Sequence, residues 1–190
     1  MSLLPPPEAT YPDPTTAFNA IQLHAKDHGY AFIKLNKKPS RLIFACDRAG
    51  NYDSRGKVLT VDKSKQRNNT GSKKCGCLMK VELCLDRLSN QWILRVLQGA
   101  HNHGSSAAAS AHPVHRMTAL IPEIRAEIIR LSRSGSTPGQ ILTTLRLSDS
   151  QTLLLVKDIS NIVQLIRAEE LNGRTAIQYL LEVRIRPYFG

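Results

Sequence analysis

The sequence predicts an α+β chain: a small four-stranded antiparallel sheet with one N-terminal helix, followed by a separate all-α helical segment. Two patterns lead to this prediction. Apolar and polar residues alternate in the first half of the chain, as in half-buried strands, whereas after residue 119 apolar residues recur every three or four positions. A stretch of small residues, GSSAAASAHPV, separates the two patterns. At 190 residues the chain has room for one ordinary domain or two small ones.

The first half begins with a leader, residues 1–14, whose five prolines and lack of apolar periodicity predict disorder. The spacing of apolar residues then predicts a short helix that a glycine C-cap ends at Gly29. Strand-like runs over 30–35 and 41–47 flank a polar turn and predict a hairpin. Alternation over 79–86 and 92–98 predicts two further strands, so that the sheet domain extends over residues 15–103.

The second half contains a linker, residues 104–119, and a helical domain, residues 120–186. Its apolar stripes predict helices over about 121–131, 158–173 and 176–184. Between the first two, Thr137 and Gln140 have the spacing of a capping box, and Pro138 suits the first position of another helix. The segment 121–142, IPEIRAEIIRLSRSGSTPGQIL, also resembles the opening of a helix-turn-helix.

Positive charge is concentrated in the middle of the chain, whose formal net charge is +11. Residues 33–103 carry fifteen Lys and Arg against five Asp and Glu, whereas the segments before and after are close to neutral. Such a domain attracts polyanions, and nucleic acid is the commonest polyanion with dedicated binding domains. No run approaches the roughly 20 apolar residues of a membrane span, so we expect no membrane partner.

Four residues with metal-binding side chains lie at predicted strand ends: Cys46, Cys77, His101 and His103. Two thiolates and two imidazoles suit the tetrahedral site that Zn²⁺ prefers, and a small sheet gains stability from such an ion. Cys75 is a rival for the second thiolate, whereas Cys84 points to the polar face of its strand. The alternative is that Cys46 is an inert buried residue and that the histidines belong to a solvated loop.

Several motifs also carry a family resemblance: GYAF, ACDR, KKCGC, QWILRVL and HNH, in this order over residues 17–103. This segment resembles the DNA-binding domain of the far-red-impaired-response type, a member of the WRKY/glial-cells-missing zinc superfamily. The resemblance implies Cys46, Cys77, His101 and His103 as zinc ligands, and thus Cys77 rather than Cys75. Leu78 stands where the family often has proline. The helical segment resembles the region that follows this domain in Mutator-like transposases and derived transcription factors.

The resemblance implies that one strand, residues 30–38, enters the DNA major groove and reads bases there. Lysine can donate to guanine and asparagine can pair with adenine, as such a strand requires. Basic residues of the following segment, which is predicted to be a long loop, would neutralise phosphates. The predicted DNA contacts are Lys34, Asn36, Lys37, Lys38, Arg41, Arg48, Arg55, Lys63, Lys65, Arg67, Lys73 and Lys74.

We therefore expect sequence-specific binding to double-stranded DNA, by a transcription regulator or the DNA-binding part of a transposase, in the nucleus. The alternative is a zinc-stabilised protein-interaction module, and the C-terminal helices are candidates for a protein partner or self-association. The sequence contains no glycine-rich phosphate loop, nucleophile elbow or His-Glu-x-x-His motif, and caps or solvated helix faces explain its C-terminal carboxylates. We thus expect that the chain is not an enzyme.

Overall fold

The computed structural model describes residues 3–52, 62, 72–175, 177 and 178 and divides the chain into two compact units. We call Met1–His115 the sheet unit and Arg116–Gly190 the helical unit. The sheet unit contains β1 (Thr10–Tyr11), α1 (Pro14–Asp27), β2 (Phe32–Lys38), β3 (Arg41–Cys46), β4 (Lys80–Asp86) and β5 (Gln91–Gln98). A short helix, α2 (Pro113–Met117), precedes α3 (Pro122–Arg133), α4 (Pro138–Ser148) and α5 (Val156–Leu171). The α+β class predicted from the sequence is confirmed.

Helix α1 begins and ends where its sequence signals indicate. The Asp13 carboxylate accepts hydrogen bonds from the backbone N–H groups of Thr15 and Thr16, at 2.8 and 2.9 Å. These bonds satisfy two of the N–H groups that a helix start leaves unpaired. After the helix, Gly29 has a φ of +74°, a conformation that glycine adopts without strain.

The sheet has five antiparallel strands in the order β1-β5-β4-β3-β2. The four predicted strands form a meander in chain order, so that β2 lies at one edge of the sheet. A register shift between Lys34 and Asn36 interrupts the pairing of β2 with β3, as a bulge does. Strand β2 is therefore an irregular edge strand, and no strand among the described residues pairs with its outer side.

The fifth strand, β1, comes from the leader that the sequence predicts to be disordered. Thr10 and Tyr11 pair with Ile93 and Trp92 of β5, and the Glu8 carboxylate accepts a hydrogen bond from the backbone N–H of Val96 at 2.8 Å. The prediction of disorder is wrong for the described residues 3–13, because the free backbone groups of β5 hold this segment by pairing across the sheet edge.

Helix α1 covers one face of the sheet and closes its core. Ala17, Ile21 and Ala25 of the helix are buried with apolar side chains from all four long strands. The strands contribute Phe32, Leu42, Phe44, Val81, Leu83, Trp92 and Leu94. Alternate residues of β3 and β4 therefore face the helix, and this alternation is the pattern that predicts strands in the sequence.

The predicted linker differs from expectation, because residues 104–115 fold onto the sheet unit. We call this segment the strap. The backbone N–H of Ser106 donates to the Gly29 carbonyl at 2.7 Å, and Nε2 of His115 donates to the Tyr30 carbonyl at 2.7 Å. The small residues that suggest a flexible linker instead let the strap lie close to other backbone.

The helical unit has a core of its own, built from α3, α4, α5 and the α4–α5 connection. Ile128, Ile141, Leu145, Leu154 and several apolar residues of α5 are fully or nearly fully buried in it. The capping box of α4 forms as predicted between Thr137 and Gln140. The predicted fourth helix, 176–184, lies almost wholly outside the described residues.

Candidate metal centre

The four predicted metal ligands converge at one end of the sheet unit. The ligand atoms of Cys46, Cys77, His101 and His103 all lie within 4.8 Å of one another. Both cysteines are buried, and both histidines are partly buried. Among the residues that the structure describes, no other group of three or more such side chains comes together in this way.

Backbone hydrogen bonds bring the two cysteines together although 30 residues separate them. Cys46 ends β3, where its N–H donates to the Met79 carbonyl at 3.1 Å. The carbonyl of Arg48 then accepts from the N–H groups of both Cys75 and Cys77, at 3.0 and 3.3 Å. The segments around Cys46 and Cys77 therefore run side by side, and the tight turns involve glycines with positive φ at positions 50 and 76.

The spacing of the ligand atoms fits one tetrahedral ion. Cys46 Sγ lies 3.2 Å from Nε2 of His103, Cys77 Sγ lies 3.5 Å from Nδ1 of His101, and those two nitrogens are 3.3 Å apart. Zinc–ligand bonds of about 2.3 Å to sulfur and 2.0 Å to nitrogen imply S–N and N–N separations of roughly 3.3 to 3.6 Å. The residues present thus fit a zinc ion with two sulfur and two nitrogen ligands.

Both histidines have ring nitrogens suited to metal binding. Nδ1 of His103 donates a hydrogen bond to the Gly104 carbonyl at 2.9 Å, which leaves the lone pair of Nε2 directed at the cluster. Burial, and then the neighbouring His103, lower the pKa of His101 to about 4. His101 is therefore neutral at physiological pH, the form that binds metal.

The cysteines need a cation to ionise. Burial raises the pKa of the Cys46 thiol far above its usual value, and the nearby Cys77 adds to that shift. A thiolate at this position would be unfavourable unless a positive charge neutralised it. A bound metal ion supplies such a charge, and thiolates are its ligands.

The strap supports the cluster from outside through His112, whose contact with this site the sequence does not predict. His112 is almost fully buried, and its Nδ1 donates to the Asp47 carboxylate at 2.5 Å. Burial alone would raise the pKa of Asp47, but the hydrogen bond and the charge of His112 outweigh it and lower that pKa. Asp47 directly follows the ligand Cys46, so this bond fixes the chain beside the site. No spacing in the sequence links residues 47 and 112.

The other two cysteines lie outside the cluster. Cys75 is exposed, and its Sγ donates to the side-chain oxygen of Asn102 at 3.2 Å. In return, the side-chain NH₂ of Asn102 donates to the Cys75 carbonyl at 2.8 Å. Asn102 lies between the two histidines, so this bond holds them beside the segment that contains Cys75. Cys84 lies on β4 and is partly exposed. The structure thus brings Cys77, and not its rival Cys75, to the site.

The predicted DNA-reading residues lie on the edge strand β2, beyond its first residues. Lys34, Asn36 and Lys38 are exposed, and Lys37 occupies the register position opposite Leu42. The Lys34 ammonium lies 5.9 Å from the ring centre of Phe18, within range of a cation–π interaction. The structure thus lines up polar and basic residues along the open edge of the sheet.

The predicted phosphate-binding residues have different surroundings. Arg41 is hydrogen-bonded to Glu82, Arg48 donates to the Ser106 hydroxyl at 3.0 Å, and Lys73 donates to the Ala111 carbonyl at 3.0 Å. Lys74 is exposed. Arg55, Lys63, Lys65 and Arg67 lie outside the described residues. Two of these cations, Arg48 and Lys73, therefore hold the strap in place.

Comparisons with known proteins leave the family open. No protein-family model matches the chain, and no solved structure matches it significantly. The chain is similar to the PKS-NRPS hybrid synthetase cheA of Chaetomium globosum, with 28% identity over 174 residues. The similarity covers 86% of this chain but 3% of that protein. Because the similar protein is an enzyme by name, the comparison does not support the expectation that this chain is not one.

None of the helices in the described part of the chain combines the length and the apolar character needed to cross a membrane.

Proposed function

We propose that the sheet unit is a zinc-stabilised domain that binds double-stranded DNA in a sequence-specific manner. One observation carries the proposal: a four-ligand metal cluster closes one end of a small sheet whose open edge strand presents polar and basic residues. On this proposal the chain is a transcription regulator or the DNA-binding part of a transposase and acts in the nucleus.

The donor set supports zinc over other common ions. Two sulfur and two nitrogen ligands at tetrahedral spacing suit Zn²⁺, whereas Mg²⁺ and Ca²⁺ prefer six or more oxygen ligands. When bound, the ion neutralises the thiolates and joins the ends of β3, the loop before β4 and the segment after β5. Four protein ligands fill a tetrahedral site, which leaves no open position for a substrate. The role proposed for the metal is therefore structural.

The edge strand supports DNA as the partner. A strand at a sheet edge can enter the major groove, where lysine and asparagine recognise base edges. Cys46 is paired with Phe32, and Asn36 to Lys38 lie four to six residues farther along β2. At about 3.3 Å per residue this distance is about 13 to 20 Å, so the metal site would stay clear of the bases. The positive charge of residues 33–103 favours approach to phosphate.

The similarity to a synthetase does not change the proposal. The chain spans 3% of the length of that protein, and a segment of this size can be a binding module within an enzyme. The closed ligand set gives the metal no catalytic position. We therefore propose a binding role for this chain.

Two measurements on the full chain test the proposal. The first is zinc content, by mass spectrometry under native conditions: we expect one ion in the wild type, and its loss in a Cys46→Ser, His103→Ala double variant. Cys75→Ser and Cys84→Ser are the matched controls, since both cysteines lie outside the cluster, and they should retain the ion. Stoichiometric zinc in the double variant would contradict the assignment.

The second measurement is binding to a random pool of duplex DNA at several salt concentrations, followed by selection of the preferred site. If roughly five phosphates are neutralised, the log–log salt slope should be near −4 to −5. Asn36→Ala should weaken the preferred site more than random DNA. Gln91→Ala, an exposed amide on the far side of the sheet, is the control and should change neither. A flat salt response would favour the alternative, a module that binds a protein partner.

A further inference from the structure

We propose that helix α5 carries a second DNA-reading surface, separate from the edge strand of the sheet unit. Its residues are Lys157, Ser160, Asn161 and Gln164, which we call the α5 stripe. This proposal goes beyond the function proposed above, because it concerns the helical unit and makes no use of the metal site.

The α5 stripe is a continuous polar surface on the side of the helix opposite the core. Its spacing of i, i+3, i+4 and i+7 places all four residues on one helix face. Lys157, Asn161 and Gln164 are exposed, and Ser160 is partly exposed. The core side of the same helix consists of Ile159, Ile162, Val163 and Ile166, all at most 7% exposed. Folding therefore fixes the orientation of α5 with the stripe facing outward.

The helices around the stripe resemble a common DNA-binding arrangement. Residues 149–155 join α4 to α5. Helix α5 then packs on both α3 and α4 through one shared core. In the homeodomain, which also has three helices, the third helix enters the major groove and reads bases from a stripe with the same spacing.

The charges along α5 favour DNA at its N-terminal half. Asp158 lies beside the stripe, but its carboxylate is buried and accepts hydrogen bonds from Arg116 at 2.7 and 3.1 Å. The other acidic residues of α5 are Glu169 and Glu170, which lie about 7.5 and 9 Å beyond Gln164 along the helix axis. They form ion pairs with Arg125 and Arg133 of α3. Lys157 and the positive end of the helix dipole are left facing outward at the N-terminal half.

The residue types of the stripe match the chemistry of base edges. The Asn161 and Gln164 amides can each donate and accept at once, as paired contacts to adenine require, and Lys157 can donate to guanine or to phosphate. A second copy of this chain or another protein would find few apolar atoms within the stripe. Duplex DNA is thus the occupant that these side chains favour.

The test uses the zinc-loaded full chain and the DNA site that it selects from a random pool. In Asn161→Ala and Gln164→Ala, the ratio of affinities for the selected site and random DNA should fall about 5-fold or more, as loss of a base contact does. In Lys157→Ala the salt slope should become shallower by about one. The control is Arg130→Ala, which removes an exposed cation on α3 that pairs with Glu127 of the same helix. It should leave both quantities unchanged.

The outcomes separate this proposal from the one for the sheet unit. Asn36→Ala tests the edge strand alone, so an effect of Asn161→Ala without an effect of Asn36→Ala would support only the α5 stripe. Unchanged preference in Asn161→Ala and Gln164→Ala, with helicity retained, would overturn it. A change of molar mass in light scattering instead of DNA preference would also overturn it, because the stripe would then mediate self-association. Absence of DNA binding by the wild type would overturn both proposals.

Discussion

Replacement of Gln22 by alanine should destabilise the sheet unit far more than a surface substitution on the same helix. Gln22 lies on α1 and is 5% exposed. Its side-chain NH₂ donates to the Phe32 carbonyl at 2.7 Å, and its side-chain oxygen accepts from the Phe32 N–H at 3.1 Å. Phe32 is the first residue of the edge strand β2, so the glutamine satisfies backbone groups that would otherwise need a neighbouring strand.

The magnitude follows from those two bonds. Gln22→Ala leaves one buried N–H and one buried carbonyl without partners, and each costs about 1 to 3 kcal/mol. The higher helix propensity of alanine returns only a few tenths of a kcal/mol. We expect a loss of about 2 to 6 kcal/mol. Because Phe32 is paired with Cys46, the change should also weaken metal binding.

Urea unfolding at one fixed free zinc concentration measures this loss. Trp92 is the only tryptophan of the chain and lies buried in β5, so its fluorescence reports on the sheet unit. With a slope of about 2 kcal/mol per M, the midpoint should fall by about 1 to 3 M. Asn19→Ala, an exposed amide on α1, is the matched control and should shift the midpoint by less than about 0.3 M. Equal shifts in the two variants would refute the reasoning.

Three further predictions concern the metal, the helical unit and the strap. Chelation should unfold the sheet unit, as measured by Trp92 fluorescence, while circular dichroism retains the helical signal of the other unit. Burial would raise the pKa of Asp158, but hydrogen bonds led by that from Arg116 outweigh it and lower the pKa below its usual 3.8. Its stabilisation is thus fully present above about pH 4 and is lost as the pH falls further, so Asp158→Asn should lower the melting temperature at pH 7 and have a progressively smaller effect as the pH falls below 4. Gly29→Ala should cost about 2 kcal/mol or more in urea unfolding, because a Cβ there would lie 2.9 Å from the Ser106 carbonyl oxygen at a positive φ.

The sequence predicts those strands and helices in which apolar residues recur at a regular spacing. Met79, Val81 and Leu83 alternate with polar residues and are all buried in and just before β4. The capping box at Thr137 forms for an equally local reason. Strand β1 could not be predicted in this way, because two residues have no period and their pairing depends on free backbone groups of β5, more than 80 residues away.

The metal cluster was predictable from residue types, whereas its surroundings were not. Cysteine and histidine at strand ends indicate a site, but Cys75 and Cys77 differ by only two positions. The structure separates them through backbone hydrogen bonds to Arg48 and through the contact of Cys75 with Asn102. The sequence predicts a linker in place of the strap because a run of small residues indicates a flexible segment. The contacts that hold the strap, with the Gly29 and Tyr30 carbonyls, join residues more than 70 positions apart and leave no local pattern.

The open outer side of β2 has a consequence for how the protein behaves at high concentration. An edge strand with unpaired backbone groups is a template onto which another copy can add a strand, and this leads to aggregation. In the part of the chain that the structure describes, the two-residue strand β1 forms one edge of the sheet, and the longer β2 forms the other. The bulge after Lys34 and the charges of Lys34 and Lys38 keep two such edges apart, and this repulsion weakens as salt rises. The lysines that would suit this edge to the proposed polyanionic partner therefore also keep copies of the protein apart, so that charge-removing variants of β2 should lose solubility.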